Sequence, residues 1–89
     1  MSARKLVIRG HVQGVGYRDA MVDAARAAGV AGIVRNAADG SVEALLQGDD
    51  AAVARVIAWA AQGPPHARVE RVLVEAIEPD TTLATFRRG

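Results

Sequence analysis

The sequence predicts an α+β sandwich of the split βαβ, or ferredoxin-like, kind. Three observations carry this. Short apolar, β-branched runs alternate with two alanine-rich stretches of helical periodicity. Glycine, proline and Asp-Gly signals part these runs into the order βαββαβ. No repeat and no low-complexity tract interrupts the 89 residues, so 1–89 reads as one domain. A doubly wound parallel sheet is the competing architecture. It needs more strands and has no place for a central hairpin.

Residues 5–9 read as strand β1, apolar and β-branched with a glycine stop. A loop follows, and 17–28 reads as helix α1. Tyr17, Met21, Ala24, Ala25 and Ala28 share one helical face, with Asp19, Asp23 and Arg26 on the other. Gly29 suits the C-cap. Residues 32–36 (G-I-V-R-N) read as β2 and 41–47 as β3, joined by a turn with Asp39-Gly40 as its signal. Asp49 and Asp50 cap α2 over 51–62, whose stripe is Val53, Val56, Ile57 and Ala60. Gly63-Pro64-Pro65 ends it. Residues 69–77 read as β4, and the tail 83–87 as a possible short fifth edge strand.

The expected product is an antiparallel four-stranded sheet of order 4-1-3-2 with both helices on one face. The expected core holds Val7, Met21, Ala25, Val34, Val42, Leu46, Val53, Val56, Ile57, Val72 and Val74.

Composition narrows the function. With 51% apolar and 24% charged residues the chain is globular. It has no cysteine, which excludes disulfides, thiolate metal sites and cysteine nucleophiles. Only His11 and His66 supply imidazole, which argues against zinc. A net charge of +1 offers no bulk attraction to nucleic acid or anionic membrane. All but Lys5 of the 11 basic residues are arginine. The N-terminal apolar run is too short for a signal peptide and no stretch spans a membrane, so the cytoplasm is the default location.

The chemistry concentrates in Gly10 to Arg18, G-H-V-Q-G-V-G-Y-R. Its glycines free the backbone to present successive N–H groups to one point. Such a loop opening a helix forms an anion site. Arg18 adds a planar fork of donors in the first helical turn. No Lys-Ser/Thr follows, so this is not a Walker loop, and the spacing is not the dinucleotide fingerprint. Alone, it would read as a tight turn with a surface arginine. Topology adds a second residue. β1 and β2 run parallel, so Asn36 at the end of β2 shares a sheet edge with the loop, about 10 Å away across β3. Without the loop, Asn36 would read as a cap of the Asp39-Gly40 turn.

G-H-V-Q-G-V-G-Y-R, then G-I-V-R-N, then D-G-S-V-E-A and Q-G closely resemble the acylphosphatase family over nearly the whole chain. The resemblance implies a small ferredoxin-like enzyme. It would hydrolyse carboxyl phosphate anhydrides to a carboxylate and inorganic phosphate, without metal or cofactor. It implies that Arg18 binds the phosphoryl group with the loop amides, and that Asn36 positions the attacking water. The amides would be those of Val12, Gln13, Gly14, Val15 and Gly16. Ile33 stands where the family usually has tryptophan and Tyr17 where it has phenylalanine, for which repacking is expected. Arg88 stands where an aliphatic residue is common.

Four residues near the site are expected to stay out of it. His11 reads as a solvated loop residue, and Arg35 points to the other sheet face. Trp59 reads as partly buried core and His66 as loop surface. A monomer acting on a small acyl phosphate is expected. An RNA-binding or non-catalytic anion-binding module is the alternative, but base stacking on a sheet needs aromatic residues. The expected β1 and β3 have none.

Overall fold

The computed structural model describes residues 1–89. Its elements are β1 (Ser2–His11), α1 (Tyr17–Ala28), β2 (Ala31–Asn36), β3 (Val42–Gly48), α2 (Asp50–Gln62), β4 (Arg68–Ala76) and β5 (Phe86–Arg88). The sheet is five-stranded, in the order β4-β1-β3-β2-β5. The expected 4-1-3-2 order stands inside it. β3 pairs antiparallel with both β1 and β2, so β1 and β2 run the same way with their C-terminal ends at one edge. The tail strand is real but shorter and later than expected. It pairs parallel to β2, with Phe86 opposite Gly32 and Arg88 opposite Val34.

Strand alternation sets the two sheet faces. Leu6, Ile8, Val34, Val42, Ala44 and Leu46 are buried and form one core with Tyr17, Met21, Ala25, Val53, Val56 and Ala60 of the helices. Four residues expected in the core are not buried. Val7 is only half-buried, because Leu6 and Ile8 take the helix-covered face and Val7 the open one. A continuous Leu-Val-Ile run does not say which parity faces inward. Val74 lies opposite buried Leu6 yet is 49% exposed, because β4 is an edge strand. Ile57 and Val72 are partly buried and pack against the core from its rim.

The short β5 is held by Phe86, which is fully buried. Truncating such a ring costs roughly 3–5 kcal/mol, enough to seat a three-residue strand. The connection before it is tied down by Gln47, which donates to the Asp80 main-chain oxygen at 2.7 Å and accepts the Asp80 N–H at 2.8 Å. Arg26 Nε donates to the Phe86 main-chain oxygen at 2.9 Å and links α1 to the same strand.

The helix ends are stopped as expected, with one correction. Gly29 and Gly63 are the C-caps. Asp49 occupies the N-cap of α2, but its side chain makes no capping bond. The Asp50 carboxylate is also spent elsewhere, accepting the Ser2 hydroxyl at 2.6 Å.

Candidate active site

β1 runs on through His11, so the loop between β1 and α1 is shorter than expected, spanning 12–16. His11 is an exposed strand residue opposite Arg68. Val12 is buried and pins the start of the loop into the core. Gly14 and Gly16 take φ of 75° and 80°. A side chain in that left-handed region costs roughly 1–2 kcal/mol, so both positions call for glycine. Gly16 is also the N-cap of α1 and offers no side chain to the helix end. No acceptor within the chain meets the N–H groups of Gln13, Gly14, Val15 or Gly16. Four consecutive free donors thus stand at the positive end of a 12-residue helix.

Beside them lies a cleft of about 140 Å³, lined by Val12, Gly14, Gly16, Tyr17, Arg18, Asp19 and Arg88. Arg18 Nη1 donates to the main-chain oxygen of Gly89 at 3.1 Å, which fixes one edge of its guanidinium. Arg88 Nη1 lies 3.0 Å from Asp19 Oδ1. Asp19 is therefore more than a solvated outer-face residue, and Arg88 brings a second cation to the cleft.

Asn36 is exposed, ends β2, and makes no side-chain hydrogen bond within the chain. It does not cap the turn that follows. That work falls to Asp39, whose Oδ1 accepts the Ser41 hydroxyl at 2.6 Å and the Ser41 N–H at 3.0 Å. Those two donors, with Arg9 on the other carboxylate oxygen, hold the Asp39 carboxyl below its ordinary range. The Gln13 amide nitrogen reaches across from the loop and donates to the main-chain oxygens of Ala37 at 2.8 Å and Ser41 at 2.9 Å. Loop and turn are thereby bolted together.

Among the sequence-named residues, Val12, Gly14, Gly16 and Arg18 share the cleft, and Gln13 and Val15 complete its loop. Asn36 is outside the lining, tied to the loop only through Gln13 and the adjoining turn. Arg35 forms a 2.6 Å ion pair with Glu43 on the open face, away from the site. Ile33, two residues earlier in β2 and on the same face, lines a groove there with Lys5, Arg35, Glu43 and Leu45. The ring of Tyr17 packs on Trp59, with centroids 5.4 Å apart and planes at 48°. Its hydroxyl donates to the Ala60 main-chain oxygen at 2.8 Å, and burial pushes the phenol well above its ordinary value. Tyr17 and Trp59 are thus structural. Sequence reasoning missed Arg88, Asp19 and the Gln13 side chain.

A model of the acylphosphatase family matches residues 4–88. The chain belongs to the acylphosphatase family. An acylphosphatase of Thiobacillus denitrificans is 56% identical over 72 residues, 81% of each chain. One from Chromohalobacter salexigens is 49% identical over 85 residues, 96% of this chain and 93% of its own. The crystal structure of acylphosphatase from Bacillus subtilis superposes with a TM-score of 0.95 at 28% identity, covering 100% of this chain and 99% of its own. Family members thus share this loop-helix scaffold across a wide range of sequence.

Proposed function

We propose that this acylphosphatase-family chain hydrolyses acyl phosphates to a carboxylate and inorganic phosphate in the cleft headed by Arg18. The observation that carries the reading is the row of four unpartnered amides beside Arg18 at the start of α1. Amides and guanidinium together suit the three oxygens of a phosphoryl group.

In this reading the N–H groups of residues 12–16 and Arg18 hold the phosphoryl oxygens. Asn36 orients a water in line with the bond to be broken. The water oxygen bonds to phosphorus as the bond from phosphorus to the acyl oxygen breaks. The water proton passes to a phosphoryl oxygen. The leaving group is a carboxylate, which departs with the bonding electron pair and needs no proton. A general acid is dispensable, and the work left is positioning and charge stabilisation.

Loop, arginine and asparagine all come from one chain, which supports a monomer as the working unit. No helix is long and apolar enough to cross a membrane. We place the protein in the cytoplasm, acting on a freely diffusing acyl phosphate. The open-face groove around Lys5, Ile33, Arg35, Glu43 and Leu45 has no aromatic side chain, which supports a small-molecule substrate over RNA.

The test is turnover of benzoyl phosphate, followed by loss of the acyl phosphate and release of inorganic phosphate. Saturable hydrolysis is expected. A folded chain that leaves benzoyl and acetyl phosphate intact would overturn the reading.

A further inference from the structure

We infer that the side chain of Gln13 is a positioning residue, holding the 37–41 turn, and through it Asn36, against the phosphate loop. The inference rests on the functional reading above for its kinetic half only. Its structural half is independent.

The Gln13 amide group has two N–H donors, and both are used. One goes to the Ala37 main-chain oxygen at 2.8 Å, the other to that of Ser41 at 2.9 Å. The turn they grip is closed on itself. The Ala37 N–H donates to Ser41 O at 2.8 Å and the Gly40 N–H to Ala37 O at 3.2 Å. Asp39 ties the Ser41 hydroxyl and N–H to the same unit. A closed turn moves as one piece, so holding two of its carbonyls holds all of it.

Asn36 depends on that piece. Its side chain has no partner of its own, so its aim follows from its main chain. That main chain is flanked by paired Arg35 on one side and by the gripped Ala37 on the other. Asn36 forms the last pair of β2 with β3, opposite Val42, where a strand end otherwise frays. Gln13 is half-buried and reaches the turn across 24 residues of sequence. Both acceptors are carbonyls, so only a double donor fits the place.

The experiment compares the parent with Gln13→Ala, Gln13→Glu, Asn36→Ala and the Gln13→Ala/Asn36→Ala double variant. Each keeps its loop N–H groups, so phosphate binding by the loop is left intact. In the Gln13 single variants kcat should fall between about tenfold and about 10²-fold, as for a small misplacement of a reacting group. In Gln13→Ala, inhibition by inorganic phosphate should change by less than about twofold, because ground-state binding is untouched. The double variant should be no slower than Asn36→Ala, because Gln13 acts through Asn36. Gln13→Glu should regain part of its kcat as pH falls through the carboxyl range, since a protonated carboxyl again donates. Amide hydrogen exchange at Ala37 and Gly40 should quicken in Gln13→Ala while α1 and α2 stay protected.

Unchanged exchange at Ala37 would overturn the strap, whatever the kinetics. Phosphate affinity falling in step with kcat would show that Gln13 shapes the loop instead. Independent, multiplying losses in the double variant would sever Gln13 from Asn36. A folded parent without turnover would defeat the functional reading alone, and exchange at Ala37 would then decide the strap.

Discussion

The guanidinium of Arg88 stands 3.0 Å from the carboxylate of Asp19, and both line the cleft that contains Arg18. The side chains are 48% and 72% exposed, so the pair contributes little to stability, about 0–1 kcal/mol. Its effect is on the local field. Asp19 both repels an entering anion and occupies the cation that would greet it. Asp19→Asn should therefore tighten inorganic phosphate by about two- to fivefold at low salt. The gain should fade as salt screens the cleft. In an Arg88→Ala background the part that comes from releasing Arg88 should vanish, leaving the part that comes from repulsion. Phosphate inhibition measured across ionic strength in the four forms checks this. Equal affinities at low salt would place the pair outside the anion's reach.

Arg18→Gln should weaken ground and transition states together. A hydrogen bond to a charged group contributes about 1.5–3 kcal/mol, so inorganic phosphate should bind roughly tenfold weaker or more. Turnover should fall by ~10²–10³, as for loss of one preorganised donor. Calorimetric phosphate titration and kcat/KM on one preparation give both numbers. Parent-like phosphate affinity in a folded variant removes Arg18 from the site.

Asn36→Ala should separate binding from chemistry. Phosphate affinity should hold while kcat and kcat/KM fall together, the pattern of an interaction made only on the way to the transition state. Melting temperature should barely move, because Asp39 and Gln13, not Asn36, hold the turn. A stable variant with near-parent turnover would end the assignment.

Activity and stability should depend on pH in different ranges. Arginine, asparagine and backbone amides do not titrate between about pH 5 and about pH 8, so kcat/KM should show no bell there. Stability is another matter. Donation from Ser41 lowers the folded-state value of Asp39. Ser2 does the same for Asp50, and Thr82 for Asp80. A lowered carboxyl stabilises the fold above its unfolded value, 3.8, and loses that contribution as pH falls through the lowered folded value. Thermal scans should therefore be level near neutrality and drop as pH falls below 3.8. Asp39→Ala should flatten the drop. A parent equally stable on both sides of it would refute the linkage.

Most of the element order was legible because it rests on local signals. The α1 stripe and Gly29 define the helix Tyr17–Ala28 to the residue. The glycine pattern placed the anion loop. Sheet face was harder, as Val7 shows: three apolar residues in a row carry no parity. The site's long-range ties were not legible at all. Arg88 meets Asp19 across 69 residues and Arg18 meets Gly89 across 71. Those pairs exist because β5 docks parallel to β2; the tail reads as a possible edge strand, but nothing in it says which strand it joins. Gln13 was counted only for its amide, since nothing in the motif says where its side chain reaches.

The open face of the sheet has a consequence for use of the protein. The groups proposed for chemistry sit at one sheet edge: the 12–16 loop, Arg18 in the first turn of α1 and Asn36 at the end of β2. Lys5, Ile33 and Glu43, which alternate away from the core, line a groove on the open face and are not among them. Substitutions at Lys5, Ile33 or Glu43 are therefore expected to leave turnover nearly unchanged. That makes this face the natural handle for attaching a dye, a surface or a fused partner while the reaction runs undisturbed at the far edge.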